Sequence, residues 1–308
     1  MEPDTHIPVL CDAVLEGLAV RADGFYVDGT FGRGGHARAL LARLGPEGRL
    51  LAMDRDPAAA AAAGDLAGDP RFVFRVGRFS AMAEVLREFD PGRGPDGVML
   101  DLGVSSPQLD TAERGFSFQH DGPLDMRMDP ATGESAADWL ARADEAEIAD
   151  VIYHYGEERY SRRIARAVVA ARAEHPITRT GQLAELVSRA VPRREPGKHP
   201  ATRTFQALRI HVNRELEELE QWLATIPDIL PRGARLAVIS FHSLEDRMVK
   251  QALRAPKPDR RIPRGLPVMP ELPERRLRAV GKPVRADAAE QRANPRARSA
   301  VLRIGERC

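Results

Sequence analysis

A chain of 308 residues, 43% hydrophobic and 30% charged, can bury one large core or two smaller ones and has the make-up of a soluble globular protein. A net charge of +1 does not announce a nucleic-acid partner; two cysteines, Cys11 and Cys308, exclude a disulfide framework and any cysteine metal-ligand spacing, so no metal is expected and a reducing cytoplasm is the expected location. No apolar run reaches membrane-spanning length, and Glu2, Asp4 and Asp12 stand where a secretory signal would be basic, so no membrane association is expected. Charge is distributed unevenly: positions 251–308 hold 15 Lys/Arg against 6 Asp/Glu, a net of +9 that leaves −8 on the remainder. Such asymmetry fits a basic segment meeting a polyanion and equally a solvated arginine-rich tail.

In chain order, strands are predicted at 25–28, 50–54, 72–76 and 97–101, with helices at 35–44, 57–66 and 80–89 between them. Strands that are apolar throughout and alternate with helices argue for a parallel sheet covered on both faces. The first strand runs into Asp28-Gly-Thr-Phe-Gly-Arg-Gly-Gly-His36, a strand, glycine turn and helix in nucleotide-binding order. Its glycines miss the G-x-G-x-x-G dinucleotide pattern. Asp28 at the strand end would repel a pyrophosphate and attract the amino group of a methionine-type ligand, so the turn suggests S-adenosylmethionine over NAD. A plain tight turn is the alternative. Asp54 ends the second strand about 20 residues past the turn, where such folds place the carboxylate that holds ribose hydroxyls; it also suits a helix cap, a role that Asp56 before Pro57 can take instead. Phe79, just after the third strand, can stack on adenine or simply pack in the core.

Beyond residue 101 the alternation stops. Loop signals dominate to residue 133, and helices are predicted at 135–141, 146–154, 161–174, 180–190 and 202–226. Strand character returns at 234–241, 276–280 and 299–304. The expected organisation is an α/β core interrupted by a helical insertion: 1–109 as the first part of the core, 110–223 as the inserted, all-helical substrate-recognition domain, 224–308 as the second part with a basic end. The stretch 255–273, rich in Pro, Arg and Gly, reads as an irregular excursion.

Three stretches carry candidate chemistry. Asp101-Leu-Gly-Val-Ser-Ser-Pro-Gln108 ends the fourth strand at the edge where open α/β sheets bind ligands. Asp101 and Ser105 there offer acceptors for the N–H groups of an exocyclic amine, and Asp101 serves a cofactor contact equally well. Lys198, Arg203 and Arg209, around the start of the last insertion helix, are candidate phosphate contacts, although arginines on such a face are often only solvated. Ser240-Phe-His-Ser-Leu-Glu-Asp-Arg247 brings His242 to the same sheet edge, in what reads as a substrate-orienting loop; no G-x-S-x-G elbow supports a hydrolase.

Taken together, these runs resemble the bacterial 16S rRNA cytosine-N4 methyltransferase family (RsmH, also called MraW). The resemblance rests on Asp28 to His36, Asp54-Arg-Asp-Pro57, Asp101 to Asp110, Glu113-Arg-Gly-Phe-Ser-Phe118, Asp121-Gly-Pro-Leu-Asp-Met-Arg-Met-Asp129, Tyr155-Gly-Glu-Glu-Arg159, His199-Pro-Ala-Thr-Arg-Thr-Phe205, Ile239 to Arg247 and Asn294-Pro-Arg-Ala-Arg-Ser299. It implies a Rossmann-like class I methyltransferase sheet with an inserted helical domain. It implies S-adenosylmethionine as methyl donor and, as acceptor, a cytidine in the decoding region of 16S rRNA in the small ribosomal subunit. The family's cofactor contacts fall on Gly34, Gly35, His36, Asp54, Phe79, Asp101 and Gln108; Asp28 joins them from its charge. Asp101, Ser105 and His242 are the candidates for catalytic contacts. The Asp/Asn-Pro-Pro-aromatic loop of many amino-methyltransferases is absent, Asp101-Leu-Gly-Val standing in its place, so their catalytic geometry does not transfer. The sequence leaves the oligomeric state open, a homodimer included.

Overall fold

The computed structural model of the protein describes residues 8–90, 92–193, 197, 199–255 and 274–308. Lys198 and nearly all of the stretch 255–273 lie outside the described residues. The chain divides into two compact units, Met1–Gly103 with Glu218–Cys308, and Val104–Glu217.

In chain order the elements begin with helix α1 (Cys11–Leu18), strand β1 (Phe25–Asp28), α2 (Gly35–Leu41), β2 (Arg49–Asp54), α3 (Ala59–Gly64), β3 (Phe72–Val76), α4 (Met82–Phe89) and β4 (Gly97–Asp101). Six helices follow: α5 (Ser106–Asp110), α6 (Ala136–Arg142), α7 (Glu145–Gly156), α8 (Ser161–Glu174), α9 (Thr180–Ala190) and α10 (Thr202–Asn213). The rest comprises α11 (Glu215–Ile229), β5 (Arg235–Ser240), α12 (Ser243–Ala252), β6 (Leu277–Val284), α13 (Ala288–Ala293) and β7 (Val301–Arg307).

The first unit is built on a seven-stranded sheet in the order β3-β2-β1-β4-β5-β7-β6. Strands β1 to β5 pair in parallel, and β7 runs antiparallel to both β5 and β6. Side chains alternate across the sheet, as a two-residue period demands. Tyr26, Leu50, Ala52, Met99 and Ile239 enter a core on one face with Val14, Leu15 and Leu18 of α1. Phe25, Val27, Leu51, Met53, Val98 and Leu100 enter a second core on the other face with Trp222 and Ile226 of α11. Both faces are therefore dry, which is why these strands read as unbroken apolar runs. Chain progression reverses between β1 and β4, making their C-terminal ends the topological switch point where open sheets bind ligands.

The second unit is helical, around a core that includes Trp139, Ile148, Ile152, Ile164, Val168, Leu183, Val187, Phe205 and Leu208. Its irregular stretch before α6 is pinned by polar contacts. Asp121 accepts hydrogen bonds from Arg179 Nε at 2.6 Å and the Gly181 N–H at 2.9 Å. Asn213 accepts from the Met128 N–H at 2.8 Å and donates to the Met126 carbonyl at 2.7 Å. Gly115 has φ +73°, and a Cβ there would stand 2.2 Å from the Pro123 carbonyl oxygen, so only glycine fits this crossing.

Two expectations are corrected. The single helix predicted at 202–226 is two helices, because Arg214 adopts φ +53° and its N–H caps α10 on the His211 and Ile210 carbonyls. Asn213 is recruited to the loop at Met126–Met128 at the same point, and an asparagine before the break looks like any polar helix position in sequence. The stretch 240–247, read as a loop, instead opens α12, with His242 as its N-cap and Glu245 accepting the Phe241 N–H at 2.9 Å. Helix α1 has no counterpart among the predicted elements. Among the described residues no helix is long and apolar enough to cross a membrane.

Candidate functional site

At the switch point the chain leaves β1 through Asp28, which is 1% exposed. Asp28 Oδ1 accepts the Thr30 N–H at 3.1 Å, while Oδ2 is buried without a hydrogen-bond partner. Thr30 reaches the other way, its Oγ1 accepting the Asp101 N–H at 2.6 Å. One residue thus ties the end of β1 to the end of β4. The turn continues over β2: the Phe31 N–H donates to the Met53 carbonyl at 2.9 Å and the Gly32 N–H to Asp54 Oδ2 at 2.7 Å. Asp54 Oδ1 accepts the Asp56 N–H at 2.8 Å. Gly34 has φ +74°, and a Cβ on it would lie 2.6 Å from Phe31 Cζ. The turn is therefore closed by glycine at a point where no other residue fits without displacing Phe31.

His36, on the first turn of α2 and 6% exposed, points its Nε2 at Asp101 Oδ2, 3.6 Å away. Burial alone would favour neutral imidazole. The Asp101 carboxylate, Cys11 and Asp28 outweigh it and raise the His36 pKa to about 10, which favours the imidazolium form. Burial pushes Asp28 up to about 7, against the opposing pull of His36 and the Thr30 N–H. It pushes Asp54 up to about 6, against the Asp56 and Gly32 N–H groups. Asp101 Oδ1 is buried and, like Asp28 Oδ2, has no hydrogen-bond partner. Asp28 and Asp101 flank His36 and Asp54 closes the next strand end, so acidic groups dominate this cradle.

A second layer holds the far side. β3 pairs Val76 with Asp54, and Phe79 follows in the next turn, its ring edge-on to Trp222 with centroids 6.2 Å apart. One turn before Trp222 on α11, Glu218 is 4% exposed and sits 3.1 Å from Arg55 Nη1 and 3.7 Å from Arg78 Nη1. Arg55 follows Asp54 in the chain and Arg78 precedes Phe79. Glu218 and Trp222 therefore fasten, from one helix face, the two residues that flank this part of the cradle. Neither stands out in the sequence: Glu218 lies in Glu215-Leu-Glu-Glu-Leu-Glu-Gln221, where nothing separates a buried acid from solvated ones. Thr30 lies inside the glycine-turn motif, but only the register of β1 with β4 reveals its partner.

The structure thus brings together Asp28, Gly34, Gly35, His36, Asp54, Phe79 and Asp101 in the first unit. His242 also belongs to this unit, past the end of β5, with Nε2 3.0 Å from Glu245 Oε1. Ser105, Gln108, Arg203 and Arg209 belong to the second unit. Gln108 is 5% exposed, and its Oε1 accepts the Ser105 N–H at 2.8 Å, so the two residues cap α5 together. Arg203 donates to the Glu157 carbonyl at 3.4 Å. Arg209 places Nε and Nη2 on the two oxygens of Glu215, both at 2.8 Å, with its side chain only 14% exposed. Its guanidinium is engaged in a fork-to-fork ion pair.

The cradle fits a cationic ligand that carries hydroxyl donors. Two buried carboxylate oxygens lack donors, and each Asp54 oxygen, with one backbone bond, keeps lone-pair capacity. This strand order, with the antiparallel β7 and an acidic switch point, defines a Rossmann-like class I methyltransferase core, a fold whose members bind S-adenosylmethionine. The comparison with protein families narrows the class: residues 4–308 match the MraW methylase family, and the chain belongs to it. It is similar to the ribosomal RNA small subunit methyltransferase H of Thioalkalivibrio sulfidiphilus, at 60% identity over 98% of this chain and 97% of that one. Proteins of the same name match from Chromohalobacter salexigens, at 58% identity over 98% of this chain and 91% of that one, and from Xanthomonas euvesicatoria pv. vesicatoria, at 56% over 99% and 89%.

Proposed function

We propose that this chain is a cytoplasmic 16S rRNA methyltransferase that moves a methyl group from S-adenosylmethionine to the exocyclic N4 of a cytidine in the decoding region of the small ribosomal subunit. The acidic cradle carries the reading: a buried Asp28 oxygen without a donor, Asp101 beside it against His36, and Asp54 at the next strand end. That charge suits a cationic methyl donor and repels a dinucleotide pyrophosphate. The relatives' shared name supplies the substrate class.

When bound, S-adenosylmethionine supplies an electrophilic methyl group on a sulfonium, so the protein need not create a strong nucleophile. Asp28 Oδ2 would take the donor's amino group, Asp54 its ribose hydroxyls and Phe79 one face of its adenine. The cytosine amine is a poor nucleophile because its lone pair is delocalised into the ring. An acceptor that bonds one of its N–H groups pulls the nitrogen toward tetrahedral geometry and frees that lone pair. Asp101 is placed for this, with one oxygen that has no donor and the other turned toward His36. The surplus proton leaves to water after methyl transfer. The target must be unpaired or flipped, since pairing hides the amine.

Labelled S-adenosylmethionine incubated with small subunits that lack the modification tests this reading. Wild-type protein is expected to transfer label; Asp101→Ala is expected to bind subunits and transfer almost none. Absence of transfer by the wild type on any assembly state of the subunit would overturn the function, and wild-type rates from Asp101→Ala would remove Asp101 from the chemistry.

A further inference from the structure

The arginines singled out in sequence for RNA contact do not include an exposed basic cluster of the second unit. Positions 159–166 hold four arginines and no acidic residue. Arg159 lies in the turn between α7 and α8, and Arg162, Arg163 and Arg166 lie on the first two turns of α8. All four are exposed, while Ile164, Ala165 and Val168 take the opposite, buried face. Arg162, Arg163 and Arg166 share the solvent face of α8 at i, i+1 and i+4, and Arg159 precedes them from the turn. Arg166 meets Glu145 at 3.7 Å, an exposed pair. Among the described residues no ion pair engages Arg159, Arg162 or Arg163.

A solvated helix face also carries arginines, but two further features point to a ligand. Tyr153, on the last turn of α7, is 54% exposed, an unusual position for a large aromatic, and its ring stands against His154 with centroids 5.1 Å apart. The Arg159 guanidinium lies 4.7 Å over the Tyr160 ring, which holds a flexible cation in place. Asp144, Glu145, Glu147 and Asp150 lie at the start and in the first half of α7; at the turn end Glu158 is buried and accepts the Tyr160 N–H, and Glu157, the C-cap of α7, is an exposed acid beside the arginines in sequence. The turn end of this hairpin therefore combines guanidinium groups outside any ion pair among the described residues with one exposed aromatic, Tyr153, the combination that tracks a phosphate backbone and stacks an unpaired base.

We propose that the α7–α8 turn, through Arg159, Arg162, Arg163 and Tyr153, is a docking surface for single-stranded segments of the ribosomal RNA substrate. The proposal rests on the rRNA methyltransferase reading and adds to it a second contact region, on the helical unit. Arg159, braced on Tyr160, grips phosphates together with Arg162 and Arg163, and Tyr153 offers a stacking face.

The test compares the full-length protein with an Arg159→Gln/Arg162→Gln/Arg163→Gln variant and with Tyr153→Ala, and takes Arg189→Gln/Arg232→Gln as a control for simple loss of surface charge. Binding to unmodified small subunits and to single-stranded 16S rRNA fragments is measured against salt, with KM, kcat, S-adenosylmethionine affinity and sedimentation alongside. The triple variant is expected to raise KM for subunits at least tenfold with kcat at saturation and cofactor affinity unchanged. Its plot of log affinity against log salt should be shallower by about 2, from three lost single-strand phosphate contacts. Tyr153→Ala is expected to weaken binding about tenfold without changing that slope. The control should match the wild type. Unchanged KM and salt slope in the triple variant would overturn the proposal. So would a loss of subunit binding accompanied by dissociation of an oligomer, which would make the face an interface between copies of the chain. RNA binding is read apart from methyl transfer: a wild type that binds RNA through this turn but transfers no methyl group would sink the proposed function and leave the surface standing.

Discussion

Thr30→Val isolates the bond that joins the two halves of the switch point. Valine keeps the shape and the β-branch of threonine but removes Oγ1, the acceptor of the Asp101 N–H at 2.6 Å. The Thr30 N–H on Asp28 is a backbone group and survives the change. An N–H left without its acceptor in a buried setting costs about 1–3 kcal/mol. Thr30 and Asp101 are both half-buried, so water can reach part of the site and the expected loss is about 1–2 kcal/mol. Asp101 carries one wall of the cradle, so a similar share should appear in cofactor binding, and 1.4 kcal/mol is a tenfold change in affinity. Urea unfolding of the unliganded protein and calorimetric titration with S-adenosylmethionine read the two effects. Thr30→Ser, which keeps the oxygen, should restore most of both. A valine variant as stable and as tight-binding as the wild type would refute the reasoning, as would a serine variant as damaged as the valine one.

Three further outcomes follow from the same geometry. Glu218→Gln leaves the largely buried Arg55 beside a neutral amide and should destabilise the protein by about 1–3 kcal/mol and weaken cofactor binding; unaltered melting and affinity would show that Glu218 anchors nothing. Gly34→Ala combines positive φ with a 2.6 Å approach to Phe31 and should cost about 2 kcal/mol or more, whereas Gly68→Ala, with open space around its Cβ, should be nearly silent; equal effects at both positions would contradict this account of the turn. The third outcome concerns pH. Asp28, raised to about 7, holds in the fold a proton that the unfolded chain releases near pH 4, so its contribution is present in acid and is lost as pH rises through about 7. His36, raised to about 10, acts in the same direction: its contribution is complete below the ordinary histidine range and is lost as pH rises through about 10. Asp28→Asn should therefore flatten the decline in unliganded stability between pH 4 and 7 and be at least as stable as wild type at pH 8, yet bind S-adenosylmethionine more weakly. Denaturation curves at several pH values, paired with titrations, would expose the opposite pattern.

Strands buried on both faces are the most legible part of the chain. Strands β1, β3 and β4 fall on the residues expected from their apolar runs, and α8 and α9 match theirs, because one periodic signal spans each from cap to cap. The strand ends that carry Asp28, Asp54 and Asp101 are therefore legible in the sequence itself. What is hidden is whatever depends on a partner distant in sequence. The break at Arg214 needs the loop that Asn213 serves, and the burial of Glu218 needs Arg55 and Arg78. β6 runs to Val284, past the expected end, because pairing with β7 carries it across Gly281 and Pro283, residues that look like a turn in sequence. Arg209 looks available in sequence until Glu215, across the helix break, is seen to engage it.

The most direct test of the central claim is the identity of the methylated atom. Small subunits lacking the modification are incubated with this protein and isotope-labelled S-adenosylmethionine, and the 16S rRNA is digested to nucleosides and resolved by mass spectrometry. Label in N4-methylcytidine, absent when Asp101→Ala replaces the wild type, is the predicted result. Label at a ring carbon, a ribose oxygen or another base would contradict the assignment of the switch-point carboxylates to an exocyclic cytosine amine.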